Sequence, residues 1–147
     1  MRYFDIYLLK EAIAELYVGK EDLLYGLFME AVRERNPRRK VILKRQVHFI
    51  SEPIAPSLFQ RLFSHQSASR AMENQFTITL KDGSQATLIF DHYISLEASG
   101  NLGAEAAVFE GLRKYNPYFF AVDYQNDCGA WLSPQKKHLL NHRQFVL

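Results

Sequence analysis

The segment from Phe76 to Phe90 constrains the fold more than any other part of the chain. Phe76-Thr77-Ile78-Thr79-Leu80 alternates apolar with polar residues, Ala86-Thr87-Leu88-Ile89-Phe90 largely does so, and Asp82-Gly83 lies between them. Alternation with a period of two places Phe76, Ile78 and Leu80 on one face of a strand. Asp-Gly between two such runs is the strongest short-range signal for an antiparallel hairpin. Tyr93 to Ala98 alternates again, and Asp91-His92 before it reads equally as a second tight turn or as mid-strand.

Around this hairpin the pattern switches between strand and helix. Tyr3 to Leu9 is an aromatic and aliphatic run of the kind found in a buried strand. From Lys10 the period becomes helical, with Leu9, Ala12, Ile13, Leu16 and Tyr17 recurring at spacings of three and four until Gly19 interrupts. Lys20 to Arg35 resumes as a second helix with a core stripe of Leu23, Leu24, Leu27, Phe28 and Ala31, which Asn36-Pro37 ends. Val41 to Ile50 reads as a strand with Lys44, Arg45 and His48 on its polar side. A short helix is expected over Ser57 to Phe63, and a polar loop over Ser64 to Asn74. Asn101 is a candidate N-cap for a helix burying Ala104, Ala107, Val108, Gly111 and Leu112, stopped by Asn116-Pro117. Tyr118 to Tyr124 has strand length, Asn126 to Gly129 reads as a loop before Trp131-Leu132, and Lys136 to Leu147 is a basic and apolar tail. The intermixed elements predict an α+β fold: a mixed β-sheet with an antiparallel hairpin and about three to four helices packed on it. At 147 residues, the chain is expected to form a single domain over 1–147, since domains run to roughly 100–200 residues.

Eighteen Lys and Arg against sixteen Asp and Glu give a net charge of +2, too balanced for a dedicated nucleic-acid binder. The single Cys128 excludes an intramolecular disulfide and a cysteine-rich zinc site. The N-terminus is a poor signal peptide, because Asp5, Lys10 and Glu11 interrupt its apolar run, and no window is long and apolar enough for a membrane span. A soluble cytoplasmic protein is expected.

The nearest approach to a catalytic or cofactor motif is Ala98-Ser99-Gly100-Asn101-Leu102-Gly103, with Asp123 beyond it. A strand, a glycine turn and a helix N-terminus can hold a pyrophosphate, but Ala98 stands where the first glycine belongs and the chain does not alternate strand and helix. The favoured reading is a turn that uses glycine's backbone freedom. His138 and His142 lack the intervening Glu of a metalloprotease helix, and Cys128 has neither a neighbouring base nor a resolving cysteine. No catalytic, metal or cofactor residue is assigned. Arg33, Arg35, Arg38, Arg39, Lys40, Lys44 and Arg45 form a basic cluster that could contact phosphates or an acidic protein surface; its plain reading is a solvated helix end and loop. On the first helix, Ala12 and Leu16 lie nearer the centre of the apolar face. Ile13 and Tyr17 sit one turn apart on its flank, as core residues or as an exposed anchor pair.

The chain resembles one family, the sporulation inhibitors of replication, SirA, of endospore-forming bacteria. The resemblance is carried by Tyr7-Leu8-Leu9-Lys10-Glu11, Tyr17-Val18-Gly19-Lys20-Glu21, Leu27-Phe28, and Gln46-Val47-His48-Phe49-Ile50-Ser51-Glu52-Pro53-Ile54. It continues through Glu97-Ala98-Ser99-Gly100, Ala104-Glu105, Phe109-Glu110, Leu112-Arg113-Lys114 and Gly129-Ala130-Trp131-Leu132-Ser133-Pro134. These stretches run in order over nearly the whole chain, and Ser57 to about Asn74 matches poorly. The resemblance implies an inhibitory binding protein without enzymatic activity or cofactor, whose partner is the N-terminal domain of the replication initiator DnaA. It implies partner-binding roles for Ile13, Tyr17 and Gln46, with Ile13 standing where the family carries an aromatic, and it favours the anchor reading of Ile13 and Tyr17. The alternative is a nucleic-acid-binding protein using the basic cluster 33–45.

Overall fold

The computed structural model describes residues 1–63 and 68–135. In chain order the elements are β1 (Arg2–Leu9), α1 (Glu11–Leu16), α2 (Glu21–Arg33), α3 (Pro37–Ile50), β2 (Ser51–Glu52), α4 (Ser57–Phe63), β3 (Ala68–Met72), β4 (Gln75–Thr79), β5 (Gln85–Phe90), β6 (Ile94–Ser99), α5 (Gly103–Tyr115), β7 (Phe119–Asp123) and β8 (Cys128–Trp131). The strands form one sheet in the order β3-β4-β5-β6-β1-β7-β8, with β2 paired to the end of β1. The class is α+β. Where a mixed sheet was expected, every pairing is antiparallel, because successive strands from β3 to β6 are joined by short turns.

The Asp82-Gly83 hairpin forms between β4 and β5, with Phe76 opposite Leu88 and Ile78 opposite Ala86. Its turn is closed by Gly83 N–H to Leu80 O at 3.0 Å and Leu80 N–H to Ser84 O at 2.9 Å. Asp91 to Tyr93 is a second tight turn, with Phe90 paired to Ile94 across it.

Alternation along β1 divides the core. Ile6 and Leu8 join Phe76, Ile78, Leu88 and Leu96 beneath α4 and α5, where Leu58, Phe59, Val108 and Leu112 close over them. Tyr7 and Leu9 point the other way, with Phe120 and Val122 of β7, into a second cluster under Leu24, Phe28, Leu43 and Val47 of α2 and α3. The strands β1 and β7 are therefore covered on both faces. By contrast, β4 to β6 bury one face only; Thr77 and Thr87 lie on the other, bonded to each other at 3.1 Å.

Several local expectations are corrected. Val41 to Ile50 is not a strand but most of α3. Asn36-Pro37 does not end α2, which stops at Arg33; it starts α3. Asn36 Oδ1 accepts from Arg38 N–H at 3.0 Å and Arg39 N–H at 3.3 Å, and Pro37 takes a helix position where no N–H is needed. The expected loop from Ser64 to Asn74 contains β3, while residues 64–67 lie outside the described residues. The expected loop at Asn126 to Gly129 runs into β8, so Cys128 and Gly129 pair with Asp123 and Val122. In α2 the buried set is Leu24, Tyr25, Phe28 and Ala31; Leu23 is exposed and Leu27 half-buried. In α1 the buried residue is Ala14, and Ala12 and Leu16 face solvent. A six-residue helix pinned at both ends by strand and turn takes its phase from those anchors rather than from its own weak stripe.

Candidate functional site, a groove between the first three helices

Helices α1, α2 and α3 enclose a groove of about 730 Å³ on the outer side of the second core cluster. Its floor and walls are mostly apolar. Tyr17 contributes from the end of α1, Leu23, Leu24 and Leu27 from α2, and Ile42, Phe49 and Ile50 from α3. Its polar residues are Gln46 and Arg45, both exposed on α3.

Local chemistry builds each wall. Tyr17 caps the C-terminus of α1, its N–H bonded to Ile13 O at 3.1 Å. Gly19 adopts φ +78°, a left-handed conformation that most side chains resist, and the chain reverses there into α2. Lys20 N–H returns to Tyr17 O at 2.9 Å, which fixes Tyr17 against the start of α2. In α3, burial of Leu43 and Val47 one turn apart sets the helix phase, and that phase turns Ile42, Gln46 and Phe49 toward the groove. The far end of α3 is held by Lys10 N–H to Ile50 O at 3.0 Å. It is also held by Ser51 Oγ, which donates to Val47 O at 2.5 Å and meets His92 Nε2 at 2.8 Å. His48 stacks on His92 with ring centroids 4.1 Å apart. Burial lowers the His92 pKa below the ordinary imidazole value, and the neighbouring His48 lowers it further.

The groove is bordered by unusually exposed apolar side chains. Phe49 is 71% exposed, Leu23 63% and Ile42 54%. Lys10 Nζ lies 4.6 Å from the centre of the Phe49 ring, so the most exposed aromatic also carries a cation over its face.

Of the residues singled out from sequence, Tyr17 and Gln46 line this groove. Gln46 does so from a helix rather than from the expected strand. Ile13, half-buried one turn before Tyr17, is not among the lining residues. Leu23, Ile42 and Phe49 were missed as surface residues. The signal that finds the last two is Asn36-Pro37 read as a helix start: it makes 37–50 helical and leaves Ile42 and Phe49 off the Leu43 and Val47 stripe.

The other candidates are absorbed by the fold. Gly100 has φ +84°, and a Cβ there would meet Ser84 Oγ at 2.6 Å. Ser84 Oγ accepts from Asn101 N–H at 3.0 Å, and Asn101, although not itself the cap residue of α5, accepts from Gly103 N–H at 2.8 Å. Arg2 donates to Gly100 O and Asn101 O, both at 2.9 Å, and grips Glu105 with two bonds. The glycine turn thus closes the sheet onto α5. Asp123 accepts from Gln125 and Asn126 N–H in a turn of its own. Among the described residues no group of three or more His, Cys, Asp or Glu could hold a metal ion, and no helix is long and apolar enough to cross a membrane. His138 and His142 lie outside the described residues. The basic cluster divides: Arg39 pairs with Glu30 at 2.8 Å and Glu34 at 3.5 Å, and Arg33 lies 3.6 Å from Asp127. Arg35, Arg38, Lys40, Lys44 and Arg45 form no ion pair among the described residues.

The chain is an α+β sheet protein that carries an apolar groove on its helical layer. The family described as "Sporulation inhibitor of replication protein SirA" matches residues 2–136. A protein of Bacillus subtilis (strain 168) with the same description is 31% identical over 151 residues, covering 99% of each chain. The chain belongs to this family of sporulation inhibitors of replication.

Proposed function

We propose that this protein inhibits the initiation of chromosome replication by binding the N-terminal domain of the initiator DnaA in the groove between α1, α2 and α3. The observation that carries this reading is that Tyr17 and Gln46, which family resemblance marks for partner binding and which sit on different helices, line one apolar groove. Tyr17 supplies an aromatic anchor with a polar tip, and Gln46 a donor and an acceptor that fix the partner's orientation. Ile13 supports Tyr17 from the preceding turn. Phe49, Ile42 and Leu23 add the apolar area that two anchors alone would lack. Inhibition follows by occlusion: the bound protein covers an initiator surface needed for assembly or helicase loading, with no chemistry at the interface.

The test is a calorimetric titration of the full chain with the initiator's N-terminal domain, beside a parallel titration with duplex DNA. The reading expects saturable one-to-one binding to the domain and little to the duplex. Binding to the duplex alone, weakening steeply with salt as counterions are released, would transfer the function to the basic cluster.

A further inference from the structure

Helix α3 carries a charge pattern that its own fold does not explain. Its first turn holds Arg38, Arg39 and Lys40 and no acidic residue. Cations at a helix N-terminus oppose the macrodipole, so this start is electrostatically unfavourable as it stands. Arg39 is compensated by Glu30 and Glu34 of the α2 side. Arg38 and Arg45 are not: both are exposed, and neither forms an ion pair among the described residues.

Their placement relative to the groove is specific. Arg38, Ile42, Arg45 and Phe49 follow one another at spacings of four, three and four. At about 100° per residue these four fall within about 60° of one another around the helix. One stripe therefore alternates cation, aliphatic, cation, aromatic, and its last three members line the groove, where Arg45 is the one charged side chain among the described residues. Lys10 over the Phe49 ring adds a cation at the far end of the same stripe.

We infer that this stripe reads carboxylates that flank the apolar contact surface of the protein partner. The partner face it fits has an apolar centre for Ile42 and Phe49 and acidic side chains at its margin for Arg38 and Arg45. A nucleic-acid backbone fits less well, because phosphates would satisfy the cations but leave Ile42 and Phe49, both more than half exposed, in water. Charges so placed act chiefly on the encounter: opposite potentials raise association rates by about 10–10³-fold and lose that effect as salt screens them. The inference rests on the reading of the groove as the partner site and adds to it the partner's charge and the step that charge controls.

The experiment measures association and dissociation rates of the full chain with the initiator's N-terminal domain at low and high salt, for the native protein, Arg38→Glu/Arg45→Glu, the milder Arg38→Gln/Arg45→Gln, and Tyr17→Ala. Melting midpoints are taken alongside, and the Gln pair decides the matter if the Glu pair fails to fold. The native association rate should fall about tenfold or more between the two salts. The Glu pair should lose about tenfold in association at low salt, keep its dissociation rate within about threefold, and show little salt dependence. A native rate indifferent to salt, or charge variants that associate as the native protein does while Tyr17→Ala loses binding, overturns the acidic-margin inference and leaves the groove intact. No binding of the native protein at either salt overturns both. Tighter binding of a short DNA duplex, abolished by the same charge variants, assigns the stripe to nucleic acid instead.

Discussion

On one face of the sheet, α5 buries Val108 and Leu112 with no exposed surface, and α4 buries Phe59 and Phe63 almost completely. On the other face, α1, α2 and α3 bury Leu24, Phe28, Leu43 and Val47 but leave Leu16, Leu23, Ile42 and Phe49 largely in water. The two layers also treat buried charge differently. Glu105, in the first turn of α5, is clamped by Arg2, whereas Asp5, on the same strand face as Tyr7, has no cationic partner among the described residues. Burial raises the Asp5 pKa from its ordinary value to about 6. Apolar side chains left in water contribute little to stability and an unpaired buried acid costs it, and both fall on the layer that holds the groove. That division teaches where to look for function: in the layer whose residues do less for the fold than they could.

The contrast can be broken by substitution, and the largest effect belongs to the α5 layer. Leu112→Ala should cost about 3 kcal/mol of folding stability, because it opens a cavity beneath a fully buried side chain, and urea denaturation would show it. A loss under about 1 kcal/mol would mean that this layer is no better packed than the other.

The second effect is stabilising and depends on pH. The native state holds the Asp5 proton up to about pH 6, while the unfolded chain releases it near the ordinary value of 3.8. Stability therefore falls as pH rises through that interval, and the penalty is fully present above about pH 6. Asp5→Asn should raise stability at neutral pH by about 2 kcal/mol, allowing for solvent at the edge of the site, and by almost nothing near pH 4. A gain that is the same at both pH values would show that ionisation is not its cause.

The smallest effect on folding comes from the groove. Leu23→Ala should change stability by no more than about 0.5 kcal/mol, since its side chain is mostly in water already, yet weaken binding to the partner domain. Thermal melts and titrations of the same preparation separate the two.

Much of the α4 and α5 layer was legible in the sequence, and less of the groove layer. The β4–β5 hairpin announced itself because one buried face and a specific turn both leave marks at fixed spacing. The α5 stripe of Ala104, Val108 and Leu112 was likewise visible, since a fully buried helix face must be apolar. In α3 the marks conflict: Val41 to Ile50 carries enough β-branched and aromatic residues to read as a strand, and its exposed apolar residues obscure the helical stripe of Leu43 and Val47. The same cause misplaced Leu23 in the core of α2. A surface kept apolar for a partner looks, to periodicity, like a surface kept apolar for the core. Periodicity put Tyr17 forward with Ile13 as core or anchor, family resemblance favoured the anchor and alone supplied Gln46, and the groove that Tyr17 and Gln46 share became visible only with α3 in place.

Tyr17→Ala separates a role of the α1–α3 layer in binding from a role in folding. Tyr17 is half-buried at the margin of the second core cluster and lines the groove. Melting midpoint and affinity for the initiator's N-terminal domain should be measured on the same variant. Binding should weaken by about 2 kcal/mol, roughly thirtyfold in Kd, with a midpoint shift far smaller than that of Leu112→Ala. Ile13→Ala should weaken binding less, and the pair should be non-additive, as neighbours one turn apart are. Intact folding with unchanged affinity would remove Tyr17 and its groove from the interface. Affinity lost together with a collapsed midpoint would make Tyr17 a core residue and contradict the division between the two layers.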